Sequence, residues 1–200
     1  MRYFVDWAFS MFTRENLNAL FQSLKRRLLG WNFLEMALEI QAATFERKYF
    51  DFQPYSIQGY KPELEVALIK VLNTVGNLGW WTPNRLFKDI LSKVKDPLTD
   101  IYLLCYQENI IGVTVLHAEY SENKGCEIGF VAIHPKHRGK QHGEKLLSHI
   151  IANCEERGIR KIWLRTDSFR VPAIRTYLKT GFRPVINNSI DVRRWLTVAN

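Results

Sequence analysis

From Ile128 to Leu147 the chain reads IGFVAIHPKHRGKQHGEKLL, and this stretch restricts the fold more tightly than any other. An apolar run rich in β-branched residues passes into a basic turn with two glycines. The turn opens directly into residues spaced for an amphipathic helix. The first N–H groups of a helix have no carbonyl partner within it, so a helix that starts at such a turn offers donors and a positive dipole end to an anion. Gly139 and Gly143 let the backbone approach a phosphate without a Cβ in the way, and Arg138, Lys140 and His142 add cationic or hydrogen-bonding groups. Spacing excludes two other phosphate loops: Gly143 is followed by Glu144 and Lys145 rather than Lys-Ser/Thr, and there is no G-x-G-x-x-G. His134, His137 and His142 have no acidic or cysteine neighbour in the loop, so no metal is expected.

Charge points to the same region. The net charge is +8, and residues 125–200 hold fourteen Lys/Arg against six Asp/Glu, which is the whole excess. A local basic field suits a phosphorylated small molecule, nucleic acid or an anionic membrane surface. No run approaches the roughly 18 uninterrupted apolar residues of a membrane span. The opening MRYFVDWAFSMF carries Asp6 and no small-residue cleavage site, and reads as neither signal peptide nor anchor. Three widely spaced cysteines, Cys105, Cys126 and Cys154, form no C-x-x-C, so neither a disulfide framework nor a zinc site is expected and a reducing cytoplasm fits.

Texture divides the chain near residue 54. Before it, Leu17, Leu20, Phe21, Leu24 and Leu28 fall at helical spacing, and Asn32 with Glu35 resembles a capping pair opening a second helix through Phe33, Met36, Ala37, Ile40 and Thr44. A helical extension over 1–54 is the expectation. Eight of the twelve phenylalanines lie in it, so it should dock, either on its own domain or through a dimer contact or membrane surface. Residues 55–200 alternate strand and helix: a strand at Tyr55–Tyr60, helices opening at Pro62 and at Thr82-Pro83, and strands Ile101–Gln107 and Ile110–Ala118 joined at Glu108-Asn109. A strand at Cys126–His134, a helix at Gln141–Arg157 ended by Gly158, a strand at Lys161–Arg165 and a helix at Pro172–Thr180 follow, with closing strands at Phe182–Ile186 and Ile190–Thr197. This order implies an α/β domain with a mixed, mostly antiparallel sheet and helices on both faces.

The run Arg138-Gly139-Lys140-Gln141-His142-Gly143 resembles the pyrophosphate signature Q/R-x-x-G-x-G/A of the GNAT superfamily of N-acetyltransferases, following a strand and V-x-I-H-P as that family has it. Arg138 and Gly143 match, and Gln141 stands where the first glycine usually falls, which is compatible with a loop whose φ there stays negative. Downstream, PAIRTYLKTGFRPV resembles the family's A-x-x-x-Y-x-x-x-G-F, with Ala173, Tyr177, Gly181 and Phe182 in register. The resemblance covers about residues 55–198. It implies the GNAT fold and acetyl-coenzyme A as co-substrate. The strands at Cys126–His134 and Lys161–Arg165 should part to admit pantetheine, which pairs with the backbone of Val131 and Ile133. Arg138, Gly139, Lys140, Gln141, His142 and Gly143 should hold the pyrophosphate. Arg170, where the family often has Asn, is an expected phosphate contact.

The implied reaction is direct attack of a neutral amine on a thioester, needing a proton acceptor and a donor for the departing thiolate. Glu127 occupies the family's frequent glutamate position and is the candidate base, acting through water; a strand-surface role is the alternative. Tyr177 is the candidate acid. Backbone amides near Val131 would polarise the carbonyl, without a metal. Cys126 lacks an activating histidine, which argues against an acyl-enzyme. Trp80, Trp81, Tyr60 and Trp195 are candidates for an acceptor pocket or for core. Two other readings use the same residues: a GNAT-fold module that binds acyl-coenzyme A without transfer, and a nucleic-acid module stacking bases on Trp163 and Trp195. No recognised nucleic-acid motif accompanies the second, and no nucleic-acid partner is expected.

Overall fold

The computed structural model describes residues 33–40, 53–75, 78–121 and 125–199. The helix expected around residues 17–28 lies outside them. In chain order the strands are β1 (Phe33–Glu39), β2 (Tyr55–Gly59), β3 (Ile101–Tyr106), β4 (Asn109–Ser121), β5 (Gly125–Ile133), β6 (Lys161–Asp167) and β7 (Arg183–Pro184). The helices are α1 (Glu65–Thr74), α2 (Pro83–Asp89), α3 (Pro97–Asp100), α4 (His142–Glu156), α5 (Val171–Lys179) and α6 (Ser189–Ala199). Among the described residues one sheet takes all seven strands, in the order β2-β3-β4-β5-β6-β1-β7, with only β5 and β6 parallel.

Each strand alternates side chains between two covered faces. On one face Leu116, Cys126, Ile128, Ile162, Leu164 and Met36 pack against Leu146, Leu147, Ile150, Ile151 and Cys154 of α4 and Tyr177 of α5. On the other, Leu103, Val113, Val115 and Ala132 meet Leu68 and Leu72 of α1 and Leu86 of α2. Local signals set these helices. Thr82 accepts a hydrogen bond from the Arg85 amide at the start of α2, and Gly158 (φ +73°) ends the turn after α4. The hairpin between β3 and β4 turns through Gln107 and Glu108, both at positive φ as a tight hairpin requires. Asp100, 2% exposed, binds Arg157 at 2.7 Å and accepts the amides of Lys95 and Asp96, tying the entry to β3 to the C-terminus of α4.

Two expected elements are different. The second N-terminal helix, expected from Asn32 through Thr44, is strand β1 over Phe33–Glu39, antiparallel to β6 from Phe33↔Asp167 to Glu39↔Lys161. The same residues carry a period of two as well as one near four: Leu34, Met36 and Ile40 are buried, while Glu35 and Glu39 point out. The open edge of β6 decides between them, since tertiary pairing overrides a local helical pattern. The sheet thus takes in residues from before the boundary expected at 54. The expected closing strand at Ile190–Thr197 is helix α6, because β1 fills the place beside β6 and because Asn188 Oδ1 accepts the amides of Ile190 and Asp191 while Asp191 accepts that of Asn187. Of the strand expected at Phe182–Ile186, Arg183–Pro184 pairs with β1, and the Val185 amide donates to the Glu35 carbonyl at 2.9 Å.

Because Met36 is fully buried opposite Leu164, Met36→Ala should cost about 2–5 kcal/mol. Urea denaturation checks this; a loss below about 0.5 kcal/mol, the usual scale of a surface change, would show that β1 is an appendage.

Candidate active site

The site begins where two strands stop pairing. β5 and β6 run side by side only at Cys126↔Ile162 and Glu127↔Trp163, although β5 continues to Ile133 and β6 to Asp167. Beyond that point they part, as expected, leaving a wedge with Val131 and Ile133 half-buried on the β5 side. A bulge shapes that wall. From Val113 to Val115, β4 advances two residues while β5 advances three, from Ala132 to Gly129. Phe130 lies in the bulge at φ +53°, a left-handed conformation that costs a non-glycine residue about 1–2 kcal/mol. Trp81 holds it edge-on at 5.1 Å, and Thr114 Oγ1 donates to the Gly129 carbonyl at 3.3 Å.

The turn after β5 carries the anion features. Pro135–His137 is one 3-10 turn, with His134 Nδ1 accepting the Lys136 amide at 3.2 Å. Gly139 has φ +77° and open space where a Cβ would stand, and Lys140 is exposed. α4 then starts at His142 without a side-chain cap from Gln141, and its positive dipole end faces the turn. Gly143 lies in that first turn, where a Cβ would touch Thr176 of α5 at 3.6 Å.

Three loop residues differ from expectation. Gln141 has φ +59°, not the negative value expected of a non-glycine residue: the turn keeps the left-handed conformation that a glycine would adopt freely. Arg138 uses its guanidinium internally, donating from Nε to the Ile133 carbonyl at 2.9 Å and from a terminal nitrogen to the Val75 carbonyl at 3.3 Å. It ties the loop to the end of β5 and to the C-cap of α1. His142 is 4% exposed, its ring 4.2 Å from that of Tyr55, so only its backbone can face a phosphate. Burial, reinforced by Lys145, His137 and Lys140, holds the His142 pKa below that of a free imidazole. His137, 5.4 Å from Tyr106, is lowered in the same way.

The other predicted residues lie around the wedge. Tyr177 of α5 packs in the core beneath it with Ile128 and Leu164, and burial pushes its phenol up to about 12 against the opposing pull of Arg170. It remains a protonated donor at any physiological pH. Arg170 is ion-paired to Asp167 at 2.8 Å, which joins the end of β6 to the start of α5. Glu127 is on the opposite face of β5, where Arg165 binds its Oε1 at 3.2 Å. Of the aromatic acceptor candidates, Tyr60 and Trp81 are core, Trp195 packs against the α4 side and Trp80 is 64% exposed. All three cysteines are buried and free, and burial raises each thiol, which leaves Cys126 a poor nucleophile. No three His, Cys, Asp or Glu residues are grouped to hold a metal among the described residues, and no described helix is long and apolar enough to cross a membrane. One residue escaped the sequence reading: His117 of β4, 6% exposed, directly opposite Glu127.

Comparison with known proteins follows this geometry. The family model described as "Acetyltransferase (GNAT) family" matches residues 76–182, more than half of the chain. The amino-acid acetyltransferases of Salmonella typhi and Salmonella typhimurium are each 28% identical over 86 residues, 43% of this chain. The chain spans 18% of the length of these curated relatives. Among solved structures, a GCN5-related N-acetyltransferase from Sphaerobacter thermophilus aligns with a TM-score of 0.63 at 20% identity, covering 76% of this chain and 48% of that one. Arabidopsis thaliana Naa50 in complex with the bisubstrate analogue CoA-Ac-MVNAL aligns with a TM-score of 0.53 at 21% identity, covering 66% and 85%.

Gln141→Gly should stabilise the fold by about 1 kcal/mol, because it removes a left-handed penalty at an exposed position. Thermal unfolding checks this; destabilisation would show that the Gln141 side chain contributes more than its backbone costs. His137 and the buried His142 set an acid limit. Their folded pKa values lie below the unfolded one, so the unfolded chain binds protons more readily, and stability present above about pH 6.5 is lost as pH falls through the folded values. Melting temperature should drop from pH 7 to 5, and drop less in His142→Phe, which keeps a ring against Tyr55 but takes up no proton.

Proposed function

The chain belongs to the GNAT acetyltransferase family, and from that membership we propose that it transfers the acetyl group of acetyl-coenzyme A to a primary amine by direct attack in a ternary complex. The observation that carries this reading is the end of β5–β6 pairing at Glu127↔Trp163, with an uncapped, basic helix N-terminus at the far end of the same β5 strand. A wedge with unpaired strand backbone suits an extended amide-bearing chain, and the turn suits the pyrophosphate at its end. The residues present therefore fit acetyl-coenzyme A, which supplies an acetyl group activated as a thioester.

The chain's own groups divide the work. Backbone groups of Val131 and Ile133 bind the pantetheine amides. The turn from Gly139 through Gly143 binds phosphate through its amides and Lys140, while Arg138 holds that turn in position and Arg170, paired to Asp167, lies at the start of α5. Amides at the Phe130 bulge polarise the thioester oxygen. Glu127 receives the acceptor's proton through water, and Tyr177 returns one to the sulfur. The Salmonella relatives make an α-amino acid the first acceptor to try.

Thermal shift and thiol release test the reading together. Acetyl-coenzyme A at a hundredfold excess over its dissociation constant should stabilise the protein by about 2.7 kcal/mol. Amines screened by thiol release and intact mass should yield acetylated product. No shift at millimolar concentration overturns the co-substrate assignment. Tyr177→Phe should slow single-turnover transfer about a hundredfold or more, equally from pH 6 to 9 because a phenol raised to about 12 does not titrate there, with acetyl-coenzyme A affinity unchanged.

A further inference from the structure

We propose that His117 is the group that first takes the proton of the acceptor ammonium, with Glu127 beside it stabilising the resulting imidazolium. This rests on the transferase reading above and replaces the water there placed between amine and carboxylate.

Placement is the first argument. His117 and Glu127 are paired residues of antiparallel neighbours, so their Cβ atoms lie about 5 Å apart on one face of the sheet. Leu116, Cys126 and Ile128 project into the α4 core, which sends His117 and Glu127 to the opposite face, toward the side covered by α1 and α2. That position is one strand away from the bulge and beside the last β5–β6 pair, at the vertex from which the wedge opens.

The second argument is the room made for the ring. A Cβ built on Gly129 would lie 2.5 Å from His117 Nε2 and 2.8 Å from its Cδ2, so the imidazole occupies space that exists only because residue 129 is glycine. Phe130 meets the ring edge-on at 5.7 Å, and its own positive φ is braced by Trp81, over which Arg85 lies at 4.3 Å. A glycine and a strained aromatic residue thus hold one imidazole against the catalytic strand. An aliphatic residue would fill this volume without a polar atom to satisfy.

Chemistry supplies the third. An imidazole titrates close to working pH, where a general base transfers protons best. Glu127, bound by Arg165, is a fixed anion well placed to favour a cation beside it. In the step, one N–H bond of the ammonium breaks and its electron pair stays on nitrogen for attack, while a new N–H bond forms on the imidazole. The proton then passes to solvent along Glu127, and Tyr177 separately protonates the leaving sulfur. Glu127 lies across from the ring with Arg165 bound to it, Arg85 lies over Trp81 and is paired to Asp89, β4 itself carries Glu119 two residues on, and the covering helices also carry Glu65, Lys70 and Lys88.

Single-turnover rates from pH 5 to 10 test the role in the full chain, with an accepted amine and saturating acetyl-coenzyme A. Wild type should rise to a plateau through the imidazole range. His117→Gln should fall about 10²- to 10⁴-fold and lose that limb, rising only as the amine itself loses its proton, with acetyl-coenzyme A affinity within twofold. Glu127→Gln should keep the limb but move it to lower pH, because a lost carboxylate lowers the imidazole pKa. Should His117→Gln misfold, His117→Ala in added imidazole serves instead, and rate recovery proportional to imidazole is expected. A variant with the wild-type limb and rate, or one that no imidazole restores, overturns the role of His117 alone. Absence of transfer by wild type to every amine overturns the transferase reading, and this role with it.

Discussion

A sheet that stops pairing in its middle must be held together by everything else, and here the separation of β5 from β6 is that constraint. Past Glu127 and Trp163 the two strands forgo their mutual hydrogen bonds, so each depends on its other neighbour. β5 is held by β4 on one side, and β6 by β1 along seven consecutive pairs on the other. Beneath the gap, Leu147, Ile151 and Tyr177 fill the space that a closed sheet would leave to its own side chains. Removing β1 would leave β6 with two pairs to β5 and little else, so the strand farthest from the turn in sequence supports one wall of the wedge.

Backbone strain falls inside β5 and at the end of the turn that follows it. Phe130 and Gln141 both adopt left-handed conformations that L-residues avoid, one in the bulge and one where the turn becomes α4. Contacts from neighbouring elements lie close to each. Trp81 comes down from the α1–α2 connection onto Phe130, and Arg138 fastens the turn to both β5 and α1. The helices on the Glu127 face are therefore mechanically joined to the anion loop, although neither α1 nor α2 contributes a residue to it.

What could be read in the sequence was what is decided locally. The basic turn, the α4 helix and the β3–β4 hairpin each depend on residues within a few positions of one another, and the elements lie about one residue from where the sequence puts them: α4 starts at His142 rather than Gln141, and the hairpin turns at Gln107-Glu108 rather than Glu108-Asn109. Asn32 with Glu35 and Asn188 with Asp191 show the limit. The first reads as a helix cap, yet the residues from Phe33 alternate as a strand requires and face an unfilled edge of β6, while the second opens a stretch that reads as a strand and caps α6. His117 was not legible for a related reason. In the chain it is a polar residue at the end of an apolar run, and its meaning comes from Glu127, Gly129 and Phe130 across a bulged pairing whose register no local pattern reveals.

β1 also has a consequence in time. Phe33 pairs with Asp167, so during synthesis the strand leaves the ribosome long before the residues it must join. At roughly 5–20 residues per second, that wait is on the order of ten seconds. Throughout it, Leu34, Met36 and Ile40 have no sheet to cover them, and the pairing they await is among the most distant in the chain. Contacts of such range slow folding and expose sticky intermediates, so this protein should acquire its final topology only after translation has passed β6.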